Sequence, residues 1–385
     1  MLLPREGLPP IQLSYGANVH PAETPAELIQ TLRSVSRGVR ERLRSASLGV
    51  GLHLHEPLIQ ALAAPGSCEE LKATLDSEGL FVGTANVFPQ RAFHAARVKQ
   101  AVYSPNWSQD ERRSYTVSAA RTLTQLANPG TEALSLSTLP LGHRDLVQNS
   151  PGIRRVAAHQ IALAAMDLHA LSQQAGRLVQ LAIEPEPACI LETQADLAHW
   201  YTRELVPAAK ACGLDEARLR EHVGSCLDCC HGAVMHESIE SAMQSLHEAE
   251  IRIMKVQISA ALETDLPAGL AALSRLHEER WLHQTSVRCG QSMFLVEDID
   301  QIPLGARGLT RTHFHIPLHA EPTAPLRNTA LTLPRALRAL RQLPCAHFEV
   351  ETYSFGVLPA DLARSSLEES VAAELACARD WLCEN

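Results

Sequence analysis

Val223-Gly-Ser-Cys-Leu-Asp-Cys-Cys-His231 is an apolar run that stops on polar residues. Asp228 and His231 stand three apart, and Gly232 follows at once. The run reads as a short buried strand whose end presents a carboxylate and an imidazole at one place. Three further apolar runs, before and after it, end in Glu184, Gln257 and Glu351. These three side chains can bind a hard or borderline cation through oxygen.

Outward from this stretch, apolar strands alternate with amphipathic helices, and no short sequence period recurs. Strands are expected over 11–20, 48–55, 80–88, 133–139, 178–184, 223–228, 251–258 and 346–351. Helices are expected over 24–45, 57–77, 109–126, 152–174, 196–211 and 236–249, from 334, and over 367–382. The first of them opens on Thr24-Pro-Ala-Glu27, a capping-box pattern with Pro at the first helical position. Most polar strand ends are separated by the roughly 30 to 45 residues of a βα unit. Alternation of this kind argues for a parallel sheet. Eight repeats argue for its closure into a (β/α)8 TIM barrel, so the chain is expected to be a single barrel domain over 1–385. An open doubly wound sheet is the rival. No G-x-G-x-x-G opens a helix after the first strand, which weighs against its dinucleotide-binding version.

The gap from Gln257 to Glu351 is too long for one βα unit. It is expected to hold a helix over 267–283 and β-rich pieces over 291–297 and 311–319. The stretch 260–320 is therefore read as an insertion on the catalytic face, where substrate selection usually resides.

The bulk properties set outer limits. The chain has 385 residues, 45% of them hydrophobic and 20% charged, enough for a sizeable core. A net charge of −9 disfavours a nucleic-acid partner. The N-terminus lacks a signal-peptide pattern, and no apolar run is long enough to span a membrane. Ten scattered cysteines read as reduced thiols of a cytoplasmic protein. Cys226-x-x-Cys229 lacks the second pair of a structural zinc site, so the thiols at 226, 229 and 230 are expected to pack around a strand end. Nucleophile-elbow, Walker and H-E-x-x-H motifs are all missing.

In a barrel the reactive groups sit at the C-terminal ends of the strands. Glu184, Asp228, Gln257 and Glu351 are the candidates there. Three carboxylates in one mouth repel each other, and a divalent cation removes that cost. The oxygen-rich set suits manganese or magnesium, with zinc or cobalt also open. Glu184 heads Glu184-Pro-Glu-Pro187 and could instead cap a turn. Glu186, two residues on, points the same way by strand alternation and is an alternative ligand. His231 shares a turn with Asp228, and His313 and His315 share one face of an extended segment. His20, His53, His55 and His143 lie near other strand ends, and Arg311 could clamp an anionic substrate. For each of these the ordinary alternative is a packing or solvated side chain.

Ile183-Glu-Pro185, Asp228-x-x-His231, Gln257 and Glu351 together resemble the xylose-isomerase-like TIM-barrel superfamily, over most of the chain in strand order. The resemblance implies one divalent metal held by Glu184, Asp228, Gln257 and Glu351. It further implies that Glu184 and Glu351 move the proton and that His231 binds a substrate oxygen. More narrowly, the chain resembles the EboE metabolite traffic family. The carriers are Leu13-Ser-Tyr-Gly-Ala-Asn-Val-His-Pro21, Leu181-Ala-Ile-Glu-Pro-Glu-Pro187, Leu227-Asp-Cys-Cys-His231 and Thr312-His-Phe-His-Ile-Pro317. That likeness implies a link to moving a metabolite precursor across the inner membrane, and hence to an export system. The superfamily also includes endonuclease IV-like nucleases with three zinc ions. For those, His55 and His313-Phe-His315 occupy ligand slots, whereas Asn86 stands where strand three would need histidine.

The expected function is metal-dependent isomerisation or epimerisation of a small polar hydroxycarbonyl metabolite. A phosphodiesterase with a di- or trinuclear centre and a non-catalytic metabolite-binding barrel are the alternatives. A homo-oligomer is compatible with all three.

Overall fold

The computed structural model describes the chain except at positions 92, 146–150, 360–361, 364–365 and 384–385. Eight parallel strands form the barrel: Leu8–Gly16, Leu48–His53, a broken third strand of Leu80–Phe81 and Thr84–Asn86, then Ala133–Thr138, Leu178–Ile183, Val223–Asp228, Ile253–Ile258 and His347–Val350. The last pairs with the first (Phe348 opposite Leu13), and the first with the second (Tyr15 opposite Val50), which closes the ring. Leu2–Arg5 adds an antiparallel flap to the first strand. Every residue of Val223–Asp228 is buried, as a strand covered on both faces must be.

Several helices form where local chemistry directs. Thr24 and Thr193 each build a capping box, and Asp215 and Ser238 cap their helices through the side chain. In Asp110–Leu126 the buried Tyr115, Ala119, Ala120, Leu123 and Leu126 form one apolar stripe.

The differences from expectation have local causes. The first strand ends at Gly16, and Ala17–Val19 forms a 3-10 turn that swings Asn18 inward to Glu351. The third strand breaks around Gly83, where a Cβ would lie 2.1 Å from Gln12 Oε1. The helix expected over 57–77 is two, Glu56–Leu62 and Ser67–Ser77, parted at Gly66 with φ +86°. Only Leu270–Ser274 of the helix expected over 267–283 forms. The residues after it are drawn out by Glu278, which accepts from the Trp281 backbone and pairs with His283. Between the seventh and eighth barrel strands lies a separate five-stranded antiparallel sheet: Leu262–Leu266, Thr285–Cys289, Ser292–Val296, Gly308–Thr312 and Arg327–Asn328. The extended piece expected over 311–319 leaves this sheet at Thr312, just before the two histidines.

The barrel axis is polar. Lys255 and Glu349, both fully buried, pair at 2.7 Å one layer below the strand ends. Lys255 also donates across the barrel to Ser137 Oγ at 3.2 Å. Burial is the largest single influence and lowers the ammonium, but Glu349, Cys226 and Glu351 together outweigh it and hold Lys255 above its usual value. Gly51 makes room for the pair, since a Cβ there would sit 1.4 Å from Glu349 Oε2.

Behind the eighth strand, Glu374 of the helix Leu367–Cys383 is buried. It accepts from Thr352 Oγ1 at 2.6 Å and from Leu318 N at 3.2 Å. Burial raises this carboxyl to about 7, against the smaller pull of those two bonds. A proton therefore prefers the folded chain. Its stabilising effect is complete below the unfolded carboxyl value and is lost as pH rises through about 7. Glu374→Gln should accordingly raise the unfolding free energy at pH 8 by about 2–3 kcal/mol. The gain should shrink towards zero by about pH 5, as read from urea midpoints at the two pH values. A gain that ignored pH would contradict this assignment.

Candidate metal and substrate site

Asp228 ends the sixth strand and caps the helix Cys229–Val234. Its Oδ1 accepts from His231 N at 2.8 Å and Ser259 Oγ at 2.9 Å. Its Oδ2 is buried without a donor among the described residues, and so is Glu184 Oε2. Glu351 is fully engaged. Oε1 accepts from Asn18 at 2.6 Å and Asn86 at 3.2 Å, and Oε2 accepts from Gln257 Nε2 at 2.6 Å. Gln257 Oε1 in turn accepts from the Cys226 thiol at 2.9 Å. Burial, followed by repulsion from Asp228, raises Glu351 to about 8. Burial and then Glu351 and Asp228 push Glu184 well above the carboxylate range.

Glu186 faces the same pocket as Glu184. It accepts from Tyr103 Oη at 2.7 Å and from Gln284 Nε2 at 3.1 Å. Burial raises it too, against the influence of His231 and those two donors.

Three histidines converge beside these acids. His231 Nδ1 lies 2.9 Å from Pro185 O, His313 Nδ1 2.7 Å from Gln284 Oε1, and His315 Nδ1 3.0 Å from Glu351 O. Each neighbour is a carbonyl oxygen that only accepts, so each Nδ1 carries the proton and each Nε2 keeps its lone pair. Yet His313 Nε2 stands 3.1 Å from His231 Nε2 and 3.2 Å from His315 Nε2. Double protonation of His313 or His315 does not relieve this. Burial holds His315 down at about 4 and His313 well below its usual value, with the neighbouring histidines adding to both. The Tyr353 hydroxyl, 3.4 Å from His313 Nε2, can satisfy one lone pair. Converging lone pairs with tautomers fixed from behind are the arrangement of imidazoles around a metal ion. Cys230 joins His313 and His315, Asp228 joins His231 and His315, and Glu186 joins His231 and His313. The donor atoms of each set lie within 4.8 Å of one another.

The pocket above has a volume of roughly 510 Å³ including its mouth. Phe93, Trp281 and Tyr353 form one wall, with each pair of ring centroids 5.2 Å apart. The rings come from the loop after the third strand, the inserted segment and the turn after the eighth strand. Lys99 ties two of these together, donating to Asp298 at 2.6 Å, Glu278 O at 2.7 Å and Trp281 O at 2.9 Å.

Of the residues singled out in the sequence, Glu184, Glu186, His231, His313, Glu351 and Asn86 line this pocket. Asp228, Gln257 and His315 lie directly beneath or beside them through the contacts above. Five do not meet them. His53 packs on the Phe93 ring with its Nε2 3.4 Å from Pro89 O. His20 bonds Tyr15 Oη at 3.2 Å, and His55 accepts from Leu58 N as a helix cap. Arg311 pairs with Glu263 at 2.9 Å in the inserted sheet, and His143 packs on the Tyr103 ring. All ten cysteines are free. Tyr103, Gln284, Lys99 and Trp281 were not anticipated. Lys99 and Tyr103 bound a short 3-10 helix, Trp281 lies in a segment expected to be helical, and Gln284 lies just before a strand, so no periodicity marked them.

No protein-family model and no curated protein sequence matches the chain. Solved structures do. The IOLI protein, crystallised with a zinc atom, aligns over 97% of this chain and 98% of its own, with a TM-score of 0.50 and 12% identity. The fold is a xylose-isomerase-like TIM barrel. A D-tagatose 3-epimerase-like protein gives a TM-score of 0.49 and 10% identity over 96% of this chain and 99% of its own. A xylose isomerase-like TIM-barrel protein from Mycobacterium smegmatis, in complex with magnesium, gives 0.47 and 13% over 97% and 98%. At such identities the likeness is one of fold.

The Lys99 latch has a measurable consequence. Lys99→Met should leave Asp298 buried without its cation and lower stability by about 2–4 kcal/mol. Amide hydrogen exchange should accelerate over 98–103 and 278–284 while the barrel strands keep their protection. Unchanged exchange in those two segments would show that the latch holds nothing.

Proposed function

We propose that the chain is a divalent-metal-dependent isomerase or epimerase acting on a small hydroxycarbonyl metabolite. The observation that carries this reading is the pair of buried, donorless oxygens, Glu184 Oε2 and Asp228 Oδ2, in a floor where Glu351 is otherwise fully bonded. Such atoms are costly unless a cation or donor meets them. Lys255 does not serve, because Glu349 already holds it. Glu184 and Asp228 would hold the ion through those two oxygens, and Gln257 and Glu351 would complete the set by giving up bonds they now make to Cys226, Asn18, Asn86 and each other; manganese, magnesium, zinc and cobalt all suit that donor set. When bound, such an ion neutralises the acids and polarises a substrate oxygen as a Lewis acid. Glu351, its plane fixed by Asn18, Asn86 and Gln257, takes the carbon-bound proton, and Glu184 returns one. The His231 Nε2 lone pair accepts from a substrate hydroxyl. The likeness to EboE proteins links the reaction to the handling of a precursor destined for export, and the ten free thiols support a cytoplasmic setting.

The histidine triad favours a second reading, a hydrolase of the multinuclear type with further metal at His231, His313 and His315.

Elemental analysis separates the two. About one divalent ion per chain is expected for the isomerase, and two or three for the hydrolase, with the excess lost in His313→Ala. Glu184→Gln should weaken Mn²⁺ binding by about tenfold or more in calorimetry. Incubated in D₂O with a panel of ketoses, the wild type should incorporate deuterium at the carbon beside the carbonyl. Glu351→Gln should lower that rate by about 10²–10⁴. Full exchange in Glu351→Gln, or no metal in the wild type, would end the isomerase reading.

A further inference from the structure

The pocket has two unlike halves. Its floor is acidic and imidazole-lined, and its wall is built of rings and aliphatic groups, among them Phe88, Phe93, Val102, Trp281, Leu282 and Tyr353. Lys99 is the one lysine or arginine lining it among the described residues. All three of its hydrogen-bonding directions are taken by Asp298, Glu278 O and Trp281 O. Arg280 lies over the Trp281 ring at 5.2 Å, outside the lining, with its Nε buried and without a hydrogen-bond partner among the described residues. The two phenols are also committed, Tyr103 as a donor to Glu186 and Tyr353 towards His313. A phosphate or carboxylate group lying against this wall would therefore meet ring edges and carbon, and no lining residue offers it a free donor fork of the kind that recognises such anions.

An apolar group would meet the opposite. Phe93, Trp281 and Tyr353 form a small cluster of their own, apart from the main core. They are held together by ring contacts at 5.2 Å and by Trp281 Nε1 donating to Phe93 O at 3.2 Å. Three chain segments contribute to it, and Lys99 and the backbone bonds from 98 and 99 to Arg280 O pin two of them. A preformed aromatic wall facing a few convergent polar groups is how small-molecule sites set orientation.

We infer that the substrate is uncharged and two-ended: a vicinal diol or hydroxycarbonyl head that enters the acidic floor, and an aromatic or other flat apolar tail that lies against Phe93, Trp281 and Tyr353. This rests on the reading of the floor as the reacting end and adds the class of molecule that reaches it. Phosphorylated sugars share the head but find no free cation among the lining residues.

The test uses the full-length protein with and without Mn²⁺ and three probes: 1-phenyl-1,2-ethanediol, glycerol and glycerol 3-phosphate. Binding is read by calorimetry and tryptophan fluorescence. The phenyl diol should bind about tenfold or more tightly than glycerol, and glycerol 3-phosphate more weakly than either. Trp281→Ala should erase the phenyl preference and leave glycerol unchanged. Trp281→Phe, which keeps a ring and guards against a folding defect, should retain most of it. Equal affinity for the two neutral diols, or tighter binding of glycerol 3-phosphate, overturns the inference. The metal reading fails separately. A wild type that binds no Mn²⁺ but still prefers the phenyl diol refutes the metal centre and leaves the tail assignment standing.

Discussion

Repulsion among buried acids governs this molecule. Glu184, Asp228 and Glu351 arrive from three separate strands at the buried floor of the pocket. Isolated from solvent, a carboxylate tolerates neither solitude nor like company. Around Glu351 the chain responds with amides, using Asn18, Asn86 and Gln257 as neutral donors. For Glu184 Oε2 and Asp228 Oδ2 the described residues offer no donor. The difference separates the part of the floor that the described residues complete from the part that they leave without a donor.

The histidines repeat the pattern with lone pairs in place of charges. Pro185 O, Gln284 Oε1 and Glu351 O fix three imidazoles from behind, two of them backbone carbonyls and one an amide just before the inserted strand Thr285–Cys289. Because the supporting groups are rigid, the three Nε2 atoms cannot turn away from one another. Glu351 takes part in both systems, through its carboxylate in one and its carbonyl in the other, so the acid floor and the triad are mechanically one object.

The fold was legible where periodicity is strong. Apolar runs ending at Glu184, Asp228, Gln257 and Glu351 are each a strand with both faces covered, and burial of that kind leaves a continuous hydrophobic trace. His313 and His315 were legible as a pair because alternate residues of an extended chain share a side. The aromatic wall was not. Phe93, Trp281 and Tyr353 are 188 and 72 positions apart along the chain, and their meeting depends on the latch at Lys99 and on a segment expected to be helical. His20 and His55 looked like ligands because they stand at strand exits. One instead bonds a neighbouring phenol and the other caps a helix, both local tasks with no signature that distinguishes them from coordination.

The glycine at 51 shapes how this barrel can change over time. It leaves a notch that the Glu349 carboxylate fills, and that carboxylate in turn is what makes an ammonium tolerable at 255. No one of the three can be exchanged first: a larger residue at 51 evicts the acid, and loss of either charge strands the other. Remodelling the mouth by stepwise substitution is therefore open, whereas the layer beneath it is inherited whole, and any attempt to transplant the upper residues onto another barrel must carry this hidden trio with them.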